Sequence, residues 1–332
     1  MFASADIAGT CLATVTAPLW LAPIGPRRGS SAGLITIIAA NILCIYSPAT
    51  WSLLITRFIA GIGAGMVYSS CIPVIAKSNR PARLVSVLQV LQLLMGGASM
   101  VAAGWLLKWG GTPPVLLAII GLSALSLPTA LWLPMNTGTS RGELPSLGKM
   151  RPALVILAAI LIYFASVGIL TNYAGKLGTQ HMLSIATISS VLAIGNLGAL
   201  PGSLIAALAE KPVIRNRLLA LATIFQVAVV IAMLTNSGLI IFAVGFFFLQ
   251  FCITIMAPLQ VAALVDHDSS GRAIEGLAAT QSLGQAFGPL IASLFISVSS
   301  MDGAYVFGLI CCALSGMVFI WLASRRSAVA PC

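Results

Sequence analysis

Two charged residues lie well inside long apolar stretches, where a charge needs a partner or water. Arg57 is the sixth residue of the stretch 52–76, and Asp6 lies at a similar depth in the stretch 3–24. An ionised side chain in apolar surroundings is energetically costly unless it is paired or hydrated. We therefore expect Arg57 to pair with Asp6 or to line the mouth of a wet cavity. The alternative is that Arg57 extends its long side chain to the polar surface beside its stretch.

Ten uncharged polar or aromatic residues also lie deep in apolar stretches. Their amide and phenol groups suit either of two roles, hydrogen bonds between helices or contacts to a ligand in a mostly apolar cavity. Because none of them carries a charge near neutral pH, such a ligand would be neutral or amphiphilic rather than a dianion. The candidate substrate contacts are Tyr68, Gln89, Gln92, Tyr163, Asn172, Tyr173, Asn196, Gln250, Gln281 and Gln285.

The run Asp266-His267-Asp268 contains residue types that bind metals, but three adjacent residues rarely surround one ion. With Arg272 and Glu275 nearby, a network of ion pairs in a loop is the simpler interpretation. The seven cysteines show no metal-ligand spacing and are expected to pack. Sequence patterns of zinc proteases, phosphate-binding loops and serine hydrolases are also absent, so we predict no enzyme activity, no metal and no cofactor.

Eleven long apolar stretches must position these groups. Hydrophobic residues make up 59% of the 332 residues and charged residues 7%, and the mean hydropathy is +1.06. A soluble domain usually carries about a quarter charged residues, whereas a membrane-spanning helix needs about 20 mainly apolar residues. The sequence therefore predicts an all-α polytopic membrane protein with eleven transmembrane helices near 3–24, 30–47, 52–76, 84–107, 113–133, 152–174, 184–208, 213–234, 238–265, 274–298 and 303–323.

Fourteen of the seventeen basic residues fall on one side of these predicted helices, whereas the opposite side holds Lys108 and Lys176. Basic residues in short loops stay in the cytoplasm. We therefore predict a multi-pass protein of the cytoplasmic (inner) membrane, with its C-terminus in the cytoplasm and its N-terminus outside. The net charge of +10 then reflects membrane orientation, and the partner it favours is the lipid bilayer rather than a nucleic acid.

The longest polar break divides the apolar stretches into five and six. We predict an N-terminal helical bundle in 1–134, a cytoplasmic linker loop in 135–151, and a C-terminal bundle with a short cytoplasmic tail in 152–332. Paired glutamines recur in the fourth and tenth stretches, which makes Gln92 and Gln281 the preferred pair for a substrate site. Matching the halves leaves the sixth stretch without a partner, so the first half is expected to lack its opening helix.

These halves and their loop motifs resemble the major facilitator superfamily, whose members usually have two six-helix halves. Ala22 and Asn216 stand at signature positions where the family has an aspartate and a basic residue. The residues that do match the family's two cytoplasmic signatures are Gly25, Arg27 and Arg28 in the first half and Glu210, Lys211 and Arg215 in the second.

Two further segments are similar to that family. The segment 57–65 resembles the arginine-plus-glycine pattern that opens its fourth helix, and the segment 270–290 resembles its eleventh helix. The resemblance implies a coupling or gating role for Asp6, Arg57, Arg272 and the signature residues. In the family, the arginine matching Arg57 often acts in proton coupling with an acid on the first helix, which has no counterpart here.

We therefore expect a monomeric secondary active transporter that moves a small solute by alternating access, coupled to a gradient as a proton symporter or antiporter. An alternative from another class is a non-transporting membrane receptor or assembly protein that has kept the fold. A third explanation is that a further apolar segment is encoded upstream of Met1, which translation of the preceding DNA would reveal.

Overall fold

The computed structural model describes residues 2–47, 49–135, 147–209, 211–236, 238–268, 272–296 and 302–327. Within these ranges every regular element is a helix, and the predicted all-α fold class is confirmed. The α-helices are α1 (Phe2–Ile24), α2 (Pro26–Ile45), α3 (Thr50–Ala76), α4 (Pro81–Gly110), α5 (Thr112–Ala130), α6 (Leu147–Asn172), α7 (Ala174–Gln180), α8 (Ile185–Gly195), α9 (Ala199–Leu208), α10 (Pro212–Thr235), α11 (Leu239–Val265), α12 (Arg272–Glu275), α13 (Leu277–Ala292) and α14 (Asp302–Ser327).

Ten stretches within the described ranges are helical, long and apolar enough to cross a membrane. They coincide with ten of the eleven predicted spans, so the prediction of a membrane-spanning helical protein is confirmed. The remaining predicted span, 274–298, contains α13, which has 16 residues. Residues 297–298 of that span lie outside the described ranges. The count of eleven crossings therefore stays a prediction.

The chain divides into two compact units, and each is described by itself. Unit 1 comprises Met1–Ser78, Leu94–Met150 and Asp268–Ser282, and unit 2 comprises Asn79–Leu93, Arg151–His267 and Leu283–Cys332. The boundaries at 1–134, 135–151 and 152–332 stay a prediction.

In unit 1, α3 packs against α1 and α2, and α2 also packs against α5. Glycines bring these backbones close together. A Cβ added at Gly61 would lie 2.1 Å from the backbone oxygen of Asp6, and one added at Gly63 would lie 2.6 Å from that of Gly33. Thr10 Oγ1 also donates to the Gly61 carbonyl at 3.1 Å. Close packing and interhelical hydrogen bonds are the forces that hold helices together in lipid, so glycines at the helix contacts stabilise this unit.

In unit 2, α11 packs against α8, α9 and α10, and α10 packs against α14. A hydrophobic cluster that includes Leu170, Met233, Phe242 and Leu249 fills the space between these helices. The hydroxyl of the fully buried Tyr305 donates to the Leu170 carbonyl at 3.1 Å, which ties α14 to α6. The well-packed α11 is therefore the element against which the polar residues of α8 and α9 are positioned.

The seventh predicted span, 184–208, is interrupted in the structure. A 3₁₀ turn at Asn196–Gly198 separates α8 from α9. Pro201 explains the interruption, because it has no backbone N–H to donate to the carbonyl four residues earlier. A Cβ added at Gly198 would lie 2.1 Å from the backbone oxygen of Phe247, so the chain passes very close to α11 here. The interruption sets Asn196 opposite α11.

Candidate functional site

The interruption between α8 and α9 carries a compact polar group that we call the amide site, made of Asn196, Gln250 and Thr254. Gln250 Nε2 donates to Asn196 Oδ1, and Asn196 Nδ2 donates to the Leu192 carbonyl at 2.8 Å. Thr254 Oγ1 lies one helical turn further along α11, 3.2 Å from the Ala199 carbonyl. The sequence predicted two of these three residues as substrate contacts, and the structure brings those two together.

The amide site is both polar and accessible. Asn196 and Gln250 are half-buried, and in the described part of the chain nothing donates to Gln250 Oε1. Beside it on α11, Phe247, Phe248 and Phe251 form successive edge-to-face ring contacts. Uncharged donors and acceptors beside an apolar aromatic surface can hold a small neutral solute that has hydroxyl or amide groups.

Unit 2 also buries a polar pair between α6 and α10, and it holds further buried polar groups on α6 and α11. Tyr163 OH donates to Gln226 Oε1 at 3.2 Å, and both residues are fully buried. The Gln226 Nε2 atom, the Ser166 hydroxyl and both amide atoms of Gln260 have no partner among the described residues. Buried polar groups of this kind usually bond to ordered water. The sequence predicted Tyr163, but it missed both glutamines, which are also polar residues inside apolar stretches.

Unit 1 brings together two of the predicted substrate contacts. Tyr68 OH donates to Gln281 Oε1 at 2.6 Å, which joins α3 to α13 within this unit. Gln281 is 7% exposed, so the hydroxyl and the amide satisfy each other away from lipid. The preferred pair of Gln92 and Gln281 falls in two different units and stays a prediction.

The other predicted contacts of unit 2 are more scattered. Gln89 Oε1 accepts from Ser203 Oγ at 3.4 Å, and Tyr173 OH donates to the Pro289 carbonyl at 2.8 Å. Asn172 Nδ2 donates to the Gly168 carbonyl of its own helix at 2.8 Å. The side chains of Gln92 and Gln285 are exposed. The assignment of all these residues to a substrate site stays a prediction.

Arg57 contacts α2 from its position on α3. Its guanidinium donates to Asn41 Oδ1 at 3.2 Å and lies 3.6 Å from Cys44 Sγ. The Asp6 backbone packs against Gly61, one helical turn along α3 from Arg57. Among the described residues, Arg57 forms its hydrogen bonds with these α2 residues, so the proposed pairing with Asp6 stays a prediction. Asn41 was missed at the sequence level, although it too is a polar residue inside an apolar stretch.

The first-half loop signature lies in unit 1 at the junction of α1 and α2. Gly25 has φ 79°, a conformation that favours glycine, and it makes the sharp break between the two helices. The backbone N–H of Arg27 donates to the Pro134 carbonyl at 3.3 Å. The Arg28 side chain is exposed.

The second-half signature lies in unit 2 at the start of α10. Arg215 is 4% exposed, and its Nη2 lies 2.5 Å from Asp266 Oδ2 at the end of α11. Lys211 is exposed and precedes the helix. Glu210 and the side chain of Arg272 lie outside the described residues.

The Asp266-His267-Asp268 run binds protein groups. Asp266 pairs with Arg215, His267 Nδ1 lies 2.7 Å from the Ala263 carbonyl, and Asp268 Oδ2 accepts from the backbone N–H of Ile274 at 2.9 Å. Among the described residues, no cluster of three or more potential ligands is placed to hold a metal ion.

Several solved transporter structures are similar to this chain. The crystal structure of FucP in its outward conformation matches with a TM-score of 0.77 at 11% identity, covering 96% of this chain and 88% of that chain. The proton:xylose symporter XylE matches with a TM-score of 0.76 at 13% identity, covering 96% and 84%. The human organic anion transporter MFSD10 matches with a TM-score of 0.75 at 15% identity, covering 96% and 82%. These similarities establish the fold.

Sequence comparison identifies the family. The uncharacterized MFS-type transporter YwoD of Bacillus subtilis (strain 168) is 27% identical over 112 residues, a stretch that spans 33% of this chain and 25% of that relative. The family model described as Major Facilitator Superfamily matches residues 1–274. The chain therefore belongs to the Major Facilitator Superfamily.

Proposed function

We propose that this protein is a secondary active transporter that moves a small neutral solute across the cytoplasmic membrane by alternating access. The observation that carries the proposal is the amide site, where Asn196, at the 3₁₀ turn between α8 and α9, meets Gln250 beside an apolar aromatic surface. A few polar groups beside a mostly apolar surface are typical of sites that bind small molecules. The protein would work as a monomer, with its C-terminus in the cytoplasm.

A neutral solute fits the chemistry of the amide site best. Asn196, Gln250 and Thr254 supply amide and hydroxyl groups, which pair with hydroxyl or amide groups on a solute without a net charge. The phenylalanine rings beside them on α11 offer apolar surface for the rest of the solute. Two proteins of similar structure are named as symporters of the neutral sugars fucose and xylose, which makes sugars a reasonable first choice of probe.

Coupling to protons is the second part of the proposal. Asp6 lies in the span Ala5–Ile24, and its carbonyl oxygen packs against Gly61, one helical turn along α3 from Arg57. A carboxylate inside a membrane span is a candidate proton carrier, because protonation removes a charge that apolar surroundings disfavour. Both similar sugar carriers are named as proton symporters.

Uptake into proteoliposomes tests transport. The wild-type protein should accumulate at least one radiolabelled neutral sugar from a panel that starts with L-fucose and D-xylose, and an inward proton gradient should raise the rate. Gln250→Ala should lower that uptake at least tenfold, because it removes the amide that bonds Asn196. Asn236→Ala is the matched control, since Asn236 is an exposed amide at the end of α10. Folded protein that takes up no member of the panel would contradict the proposal and favour the non-transporting receptor.

Asp6→Asn separates coupling from transport. If Asp6 carries the proton, this variant should still exchange labelled for unlabelled solute at equal concentrations, but it should no longer concentrate solute when a proton gradient is applied. Accumulation by Asp6→Asn at the wild-type level would contradict the coupling role of Asp6 and leave the transport role of the amide site standing.

A further inference from the structure

Unit 2 carries a second pair of uncharged polar side chains on the helical segment that bears the amide site. The Ser203 hydroxyl on α9 donates to Gln89 Oε1 on α4 at 3.4 Å, and we call these two residues the serine–glutamine pair. Asn196 and Ser203 are seven residues apart, so they lie on the same side of the segment. The six residues between them carry no polar side chain.

The spacing of the two pairs follows from the helical geometry. The 3₁₀ turn at Asn196–Gly198 and the first turn of α9 place Asn196 and Ser203 about 10–12 Å apart along the helix axis. Asn196 contacts Gln250 on α11, whereas Ser203 contacts Gln89 on α4. Two glutamine amides from neighbouring helices therefore lie at the two ends of one apolar stretch.

The protein engages the amide of Gln89 only weakly. Its bond from the Ser203 hydroxyl is longer than the usual range of about 2.5–3.0 Å for a hydroxyl donor. Gln89 Nε2 donates to nothing in the described part of the chain, and it is not among the polar atoms that the fold seals off. Because Gln89 lies inside the apolar span Pro81–Ser99, its free N–H groups are best satisfied by an acceptor on a bound solute.

Gln250 has the complementary property at the other end. Its Nε2 donates to Asn196, whereas its Oε1 accepts no bond from the described residues and is likewise not sealed off. One end of the stretch thus offers a free acceptor and the other end offers free donors. Hydroxyl groups satisfy both, since each hydroxyl can donate and accept.

We propose that the amide site and the serine–glutamine pair together bind one elongated neutral solute of the size of two linked sugar rings. A single ring laid along α9 is shorter than the separation of the two pairs, whereas two linked rings cover it. Gln89 then selects for the length of the solute. This inference rests on the proposed transport function and adds the class of solute.

Competition for uptake tests the inference in proteoliposomes. Unlabelled lactose and cellobiose are compared with D-xylose and L-fucose as inhibitors of the labelled sugar that the wild-type protein takes up best, in a panel that includes all four. One disaccharide should inhibit at a concentration about three- to tenfold lower than either monosaccharide, which is the effect of one neutral hydrogen bond. Gln89→Leu should remove most of this preference, because it keeps a similar volume but has no amide.

Asn236→Leu is the matched control, since it removes an exposed amide at the end of α10 and should keep the wild-type preference. If Gln89→Leu does not fold, Gln89→Asn takes its place and should also reduce the preference, because its amide is drawn back toward α4.

Equal inhibition of the wild type by both classes of sugar would overturn the inference and leave transport of a neutral solute standing. A preference that the Gln89 and Asn236 variants change equally would overturn it in the same way. Folded wild-type protein that takes up neither class would contradict the proposed function itself, and this inference with it.

Discussion

The proposed function depends most directly on one contact, the hydrogen bond between Gln250 and Asn196. Replacing Gln250 with leucine keeps a similar volume but leaves Asn196 Oδ1 without its donor. We expect the free energy of unfolding to fall by about 1–3 kcal/mol, toward the lower value because both residues are half-buried. Thermal unfolding in detergent measures the loss, with Asn236→Leu as the exposed control. An equal effect of the two substitutions would contradict a structural role for the pair.

The hydrogen bond from Arg57 to Asn41 makes a second prediction at this scale. Arg57→Lys and Asn41→Leu each remove this contact between α3 and α2. A bond from a charged donor stabilises by about 1.5–3 kcal/mol, so each single variant should unfold more easily. The free energy of unfolding of the double variant should fall by less than the sum of the two single losses, because both changes remove the same bond. Strictly additive losses would mean that the two side chains do not interact.

The sequence predicts polar residues inside the apolar stretches more readily than it predicts their hydrogen-bond partners. Asn196, Gln250, Tyr68 and Gln281 could be predicted because each is a polar side chain in an apolar stretch. The partner of Gln250, 54 positions away, depends on how two helices are rotated about their axes, which hydropathy does not report. Asn41 satisfies the same criterion, but its pairing with Arg57 depends on how α2 and α3 are rotated, which the sequence pattern does not report.

Close packing of α3 on α1 is the main feature of unit 1 at the scale of helices. A Cβ at Gly61 would lie 2.1 Å from the Asp6 carbonyl oxygen, so Gly61→Ala must push the two helices apart. Such overpacking costs about 1–3 kcal/mol or more. Gly96→Ala is the matched control, because a Cβ there meets nothing within 4 Å. It should leave stability unchanged or raise it by up to about 1 kcal/mol, since alanine favours helix more than glycine does.

Unfolding in a graded series of denaturing detergent measures both glycine variants. Equal stability of Gly61→Ala and the wild type would contradict the close approach of α1 and α3.

Helix positions were predictable to within a few residues, but their interruptions were not. The apolar stretch 184–208 reads as one span, because hydropathy averages over the whole stretch and does not register a missing backbone donor. Pro201 and the glycines at 195 and 198 were the available signal for the 3₁₀ turn. The start of α2 at Pro26 shows a similar limit, since the polar pair Arg27-Arg28 looked like a loop but lies within the helix.

For the molecule as a whole, the sequence predicted a helical membrane protein, because composition is a property of the entire chain. A charged fraction of 7% leaves lipid as the solvent for its helices. The clustering of fourteen basic residues on one side is equally global, and it predicts an orientation that a helical fold alone does not reveal.

Labelling of α4 from one side of the membrane tests this account most directly. Asn79 precedes α4, Lys108 lies near its end, and both side chains are exposed. We expect Lys108→Cys to react with a membrane-impermeant maleimide in intact cells, and Asn79→Cys to react only after the membrane is permeabilised. The unsubstituted protein is the control, because its described cysteines are buried or half-buried. Reaction of both variants in intact cells would contradict the predicted crossing and its orientation.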